Sequence, residues 1–138
     1  MPYWKLHYHL VWATKNREPV IDDTAEQIIR RSIASTSRSL KMTLHAVGMV
    51  ADHVHVAVSI PPSVAVSEAV GRLKGASPHA LHNSPEPLSD FGSQAEYGAL
   101  SISGRGLDEL IEYVVNQPAR HAANGLHAAL ERIDERET

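Results

Sequence analysis

The 138-residue sequence contains no cysteine, which removes disulfides, thiolate zinc sites and thiol catalysis together. Any metal it holds must be met by nitrogen and oxygen ligands. There is one phenylalanine, aromatic residues make up only 5% of the chain, and no apolar run approaches the ~20 residues that span a membrane. The opening Met1-Pro2-Tyr3-Trp4-Lys5 lacks the basic-then-apolar order of a secretion signal. The expectation is a cytoplasmic protein with no membrane partner. A basic excess is missing too, since the formal net charge is −3, and a polyanion binder usually leaves a basic footprint. The charge is unevenly spread. Residues 1–41 hold seven Lys or Arg against four Asp or Glu, whereas 131–138 hold four acids against two arginines. A polyanion contact in the first third is permitted, and a plain solvated surface equally so.

What is present is a 43% hydrophobic content over one domain's length. We expect a single domain over 1–138, with 126–138 as a charged tail. Tyr3 to Thr14 alternates with period two, setting Trp4, Leu6, Tyr8, Leu10 and Trp12 on one face and His7, His9 and Val11 on the other. From Asp22 to Leu40 the apolar Ala25, Ile28, Ile29, Ile33 and Ala34 recur at helical intervals, with Asp22 or Asp23 as a cap. Leu44–Met49 and Val54–Ile60 read as paired strands around an Ala51-Asp52 turn, stopped by Pro61-Pro62. Val66 to Leu81 predicts a helix that Pro78 interrupts or ends. Residues 83–92 read as a surface loop and Tyr97–Ser103 as a last strand. Gly104-Arg105-Gly106 is a flexible joint into a helix with the stripe Leu107, Leu110, Ile111, Val114 and Val115. The order β-α-β-β-α-β-α is an α+β, ferredoxin-like (split βαβ) antiparallel sheet with an added C-terminal helix.

Within that frame, one segment carries chemistry. His53 and His55 interrupt the β-branched run Val50, Val54, Val56, Val58, Ile60, and residues two apart on a strand leave the same face. Burying such rings unsatisfied costs roughly 1–3 kcal/mol. They are either two ligands of one metal or hydrogen-bonded core histidines. His7 and His9 repeat the spacing, so the interval alone does not decide. In the last helix Tyr113 and Gln117, four apart, project from one side. A glutamine carbonyl can complete a set with two imidazoles, and a phenol beside that metal is a candidate nucleophile. A packing tyrosine is the plainer alternative.

Three segments occur in order: Tyr8-His9-Leu10-Val11-Trp12-Ala13-Thr14-Lys15, Asp52-His53-Val54-His55-Val56-Ala57-Val58-Ser59-Ile60-Pro61-Pro62, and Tyr113-Val114-Val115-Asn116-Gln117. Together they resemble the single-tyrosine HUH transposases of the smallest bacterial insertion sequences, in which histidine, a bulky apolar residue (here Val54) and histidine stand in a row. Arg72-Leu73-Lys74-Gly75 is similar to the family's second-helix segment, and Gln94, Tyr97 and Ser101 to the stretch before its last strand, so the likeness spans nearly the whole chain. It implies a metal-dependent DNA strand transferase and endonuclease acting on single-stranded DNA with hairpins at element ends. It further implies a homodimer, Mg²⁺ or Mn²⁺ held by His53, His55 and Gln117, and Tyr113 as the nucleophile that forms a 5′-phosphotyrosine. Pro118 after Gln117 resembles a related group, the transposases associated with repeated extragenic palindromes. Ser93 and Glu96 depart from the tryptophan and glycine common in the family.

Lys15, Arg17, Arg72, Lys74 and Arg105 are candidate phosphate contacts, and Tyr97 is the rival nucleophile. His9 is expected in the core or behind the site, Asp52 in the turn with a minor role behind one imidazole. His45 shows no convergent partner. Two rivals remain. One is a nickase of the replication-initiator or relaxase class, disfavoured by chain length. The other is a domesticated or degenerate ferredoxin-like module that binds single-stranded nucleic acid without catalysis. Such modules stack bases on sheet aromatics, where this chain carries histidines.

Overall fold

A computed structural model describes residues 4–82 and 96–116. The loop expected over 83–92, the expected ligand Gln117 and the tail expected over 126–138 lie outside those residues. Strand β1 (His7–Ala13) enters first and helix α1 (Asp23–Ser39) follows. The cap is Asp22, whose Oδ1 accepts from the Ala25 amide at 2.8 Å, and the acids Asp23 and Glu26 lie in the first turn, where the helix dipole favours them. Beyond Ser39, Lys41 takes a positive φ of 58° and turns the chain into β2 (Thr43–Val50), which pairs through the Ala51-Asp52 turn with β3 (His53–Ser59).

Helix α2 (Val66–His82) runs through Pro78. The expected break does not occur. The inward residues Ala69, Val70, Leu73 and Ser77 are all buried, and Ser77 Oγ donates to the Leu73 carbonyl at 3.2 Å, so packing outweighs the one backbone bond that proline removes. Strand β4 (Gly98–Ile102) is shorter than predicted, and α3 (Leu107–Val115) closes the described fold. The glycine joint before it is an ordered 3-10 turn, with the Ser103 hydroxyl accepting from the Gly106 amide at 3.2 Å.

The sheet order is β2-β3-β1-β4, with every pairing antiparallel, the split βαβ arrangement. Strand alternation sends Leu10, Trp12, Val54, Val56 and Val58 to one face, where they meet Ile29 and Ile33 of α1 and Val70 and Leu73 of α2 in the main core. The opposite face carries His7, His9, His53, His55, Ala57 and Ser59, following the register that sets His9 against Ala57 and Val11 against His55. Among the described residues only α3 covers that face, through Leu110 and Val114 on Ala57, with Leu107, Ile111 and Tyr113 beside them. Val115 does not join the stripe: it is 58% exposed, because nine helical residues on a sheet present a narrower inner face than the five-residue stripe assumed.

Candidate active site

His53 and His55 stand on β3 with side chains 1% and 0% exposed. Their rings are stacked, centroids 5.9 Å apart and 21° between planes. Each is held through Nδ1 by a different partner. His53 Nδ1 lies 2.6 Å from Asp52 Oδ1, so the carboxylate accepts the Nδ1 proton and the lone pair falls to Nε2. His55 Nδ1 lies 2.8 Å from His9 Nε2, in rings stacked at 5.1 Å. Burial pushes the His9 pKa down from 6.5 to about 4, which keeps that ring neutral near pH 7 and able to accept from His55 Nδ1–H. When His55 Nδ1–H is the donor of that pair, the lone pair of His55 falls to Nε2 as well.

Both Nε2 atoms are buried and make no hydrogen bond among the described residues. Two imidazoles on one strand face, each with Nδ1 engaged and Nε2 directed elsewhere, fit a divalent cation. A carboxylate or acceptor behind a ligating histidine is the usual way to fix its tautomer and raise its basicity. Asp52, expected in the turn with a minor role behind one imidazole, and His9, expected in the core or behind the site, are thus direct supports of the two candidate ligands.

Tyr113 comes to the same place from α3. Its half-buried ring lies edge-on to both His9, centroids 5.8 Å apart at 75°, and His55, 6.0 Å apart at 73°. What lets α3 approach so closely is Gly48, opposite His55 on β2. A Cβ at Gly48 would stand 1.7 Å from the Val114 carbonyl oxygen, so the strand's missing side chain is the seat of the helix end. Sequence reasoning passed over Gly48, although a glycine inside a strand pattern is itself a sign of close backbone approach. The rival nucleophile Tyr97 packs against the main core on the other face, its ring 6.0 Å from Lys74 Nζ. The sheet separates it from the histidines.

The candidate phosphate contacts divide by place. Lys15 and Arg17 are exposed in a 3-10 turn following β1, at the sheet end where Ala13 pairs with His53. The Thr14 amide bonds the Asp52 carbonyl there at 2.9 Å. Arg72 and Lys74 ride on α2, which packs against the face away from the histidines. Arg105, exposed in the turn after β4, lies past Ile102, which pairs with His7 at the opposite end of β1.

A ferredoxin-like sheet with a buried histidine pair facing a helix-borne tyrosine defines a class, and comparison with known proteins gives it a family. The family model described as "Transposase IS200 like" matches residues 2–117. The chain belongs to the IS200-like transposase family. It is 35% identical over 122 residues to the ISDra2 transposase TnpA of Deinococcus radiodurans, covering 83% of this chain and 85% of that one. With the transposase for insertion sequence element IS200 of Salmonella typhimurium it shares 32% over 83 residues, which span 57% of this chain and 52% of that one. Among solved structures, a candidate transposase from Deinococcus radiodurans R1 superposes with a TM-score of 0.66 at 25% identity, covering 84% and 93% of the two chains. The same fold recurs in a REP-associated tyrosine transposase bound to a REP hairpin, with a TM-score of 0.67 at 18% identity and coverage of 88% and 72%.

Proposed function

We propose that this transposase nicks and rejoins single-stranded DNA at hairpin-bearing element ends through a phosphotyrosine on Tyr113. The observation that carries the reading is the Tyr113 ring 6.0 Å from His55, on the one sheet face where two imidazoles present buried Nε2 atoms. A divalent cation, Mg²⁺ or Mn²⁺, held by His53 and His55 with Gln117 as third ligand, would neutralise charge on the scissile phosphate and orient it. Asp52 and His9 keep the two imidazoles in the ligating tautomer. Tyr113 supplies its phenolic oxygen to phosphorus. The P–O3′ bond breaks, the phenolic proton ends on the departing 3′ oxygen, and the 5′-phosphate stays on the tyrosine.

The phosphotyrosine ester conserves the energy of the broken diester, so a different 3′-hydroxyl can attack it, release Tyr113 and reseal DNA without ATP. Lys15 and Arg17, at the His53 end of the sheet, are placed to meet the flanking backbone. The hairpin-bound structural relative supports a hairpin-bearing strand as substrate, and the homodimer follows from the family resemblance.

The test is incubation of the purified protein with Mn²⁺ and an end-labelled single-stranded hairpin oligonucleotide, followed by denaturing electrophoresis. The reading expects a covalent protein–DNA band that Tyr113→Phe and His55→Ala each abolish, and little reaction with duplex DNA. Retardation of the oligonucleotide with no covalent band under any divalent metal would leave a binding module and end the proposal.

A further inference from the structure

At the far end of the same sheet face, three side chains from three strands meet. His7 Nδ1 of β1 and His45 Nε2 of β2 each lie 2.6 Å from one oxygen, Ser59 Oγ of β3. The two rings stand edge to face, centroids 5.8 Å apart at 79°, and all three residues are half-buried. An irregularity in the sheet makes the meeting possible. The β2–β3 register slips between Leu44 and Ala46, leaving His45 as the extra residue of a bulge, the device by which a strand re-aims a side chain at the expense of regular pairing. The same slip lets Leu44 share the main-core face with Val47 and Met49 while Ala46 faces α3, and it swings His45 toward His7 and Ser59.

We infer that His7 Nδ1 and His45 Nε2, with the Ser59 hydroxyl beside them, form a second metal site that takes a nitrogen-preferring divalent cation of the zinc, nickel or copper class. Two nitrogens aimed at one point are what bidentate coordination needs. Zinc–imidazole bonds run about 2.0–2.1 Å, so closing from the observed 2.6 Å asks each half-buried ring to move about 0.5 Å as the hydroxyl turns aside. Two imidazoles and a hydroxyl suit a nitrogen-preferring cation, and what separates the site from the one at His53 and His55 is its place on the sheet. Ser59 is four residues from His55 along β3, roughly 13 Å at strand rise, so the two sites share no ligand.

The cation is favoured over an anion by the rings themselves. Both ring nitrogens close on one oxygen at 2.6 Å, the convergence of lone-pair donors that a cation uses, whereas holding a phosphate asks for protonated rings. Bound there, a cation ties β1, β2 and β3 together.

The test uses the full chain carrying His53→Gln and His55→Gln, ¹⁵N-labelled and titrated with zinc, with histidine ring ¹⁵N spectra and the thermal midpoint as readouts. One equivalent of zinc is expected to shift His7 Nδ1 and His45 Nε2 and to raise the midpoint, magnesium to do neither, and His45→Gln to remove both effects. If the starting variant does not fold, the same comparison is made in the native chain, where His45→Gln is expected to lower zinc stoichiometry by one. Zinc shifting only other histidines, a midpoint rise that survives His45→Gln, or inorganic phosphate shifting these rings where zinc does not would each overturn the assignment.

Discussion

Replacing Gly48 by alanine adds a single methyl group where the structure has no room for one. Its Cβ would sit 1.7 Å from the Val114 carbonyl oxygen, 2.8 Å from the Val114 carbonyl carbon and 3.3 Å from Val114 Cγ1. Non-bonded heavy atoms settle near ~3.5 Å, so strand and helix must part by about 1.5–2 Å. β2 is laddered to β3 along its length, whereas α3 is held by the small cluster of Ala57, Leu110 and Val114, so the helix end is the part that yields. Tyr113 is the residue immediately before Val114 and moves with it. Misplacing a reacting group by about 1 Å costs on the order of 10²-fold in rate, and disturbing a packed contact costs about 1–3 kcal/mol of stability. The expected result for Gly48→Ala is a folded protein with a lowered melting temperature and covalent-adduct formation slowed about 10²-fold or more. The assay is a time course of adduct on a labelled hairpin oligonucleotide with Mn²⁺, beside a melting curve. Adduct formation within about threefold of the native rate would refute the claim that the seat of α3 on Gly48 positions the tyrosine.

Asp52→Ala and His9→Phe remove the groups behind His53 and His55 without touching the ligating rings. Each should weaken Mn²⁺ binding by roughly 10–100-fold, read by calorimetry, and a change smaller than about threefold in both would show that the tautomers are set otherwise. Acid should destabilise the metal-free fold through His9. Its pKa falls from 6.5 unfolded to about 4 folded, so between those values the unfolded chain binds more protons, and stability present above pH ~6.5 is lost progressively as pH falls through ~4. The full difference is about 3 kcal/mol at 1.36 kcal/mol per pH unit. Denaturant midpoints measured between pH 7 and 4 test it, and His9→Phe should flatten that part of the profile.

The architecture was legible because alternation and helical spacing are local. Trp12 and Val56 fall inward and His53 and His55 together on the other face by counting along one strand. The partner of His55 was not legible in the same way: the β1–β3 register that sets His9 against Ala57 brings together His9 and His55, 46 positions apart. His45 was unreadable for a related reason, since a bulge shifts the alternation that would otherwise assign its face. Charge patterning was blind to layers, and so Arg72 and Lys74 were grouped with Lys15 and Arg17 although α2 lies across the sheet from the histidines. Pro78 and Val115 were misread in opposite directions. Packing carried a helix past a proline, and a short helix buried fewer of its apolar residues than its sequence offered. Tyr113 came to its place from the motif, but the reason it fits there is Gly48.

In the proposed reaction the phenolic oxygen of Tyr113 becomes bonded to DNA phosphorus. The most direct measurement is proteolysis and mass spectrometry of the covalent product formed with a single-stranded hairpin substrate and Mn²⁺. The expected product is a nucleotide phosphate on the peptide that contains Tyr113, with a free 3′-hydroxyl on the released strand. Attachment at Tyr8 or Tyr97, or strand cleavage that leaves no nucleotide on any tyrosine, would contradict it.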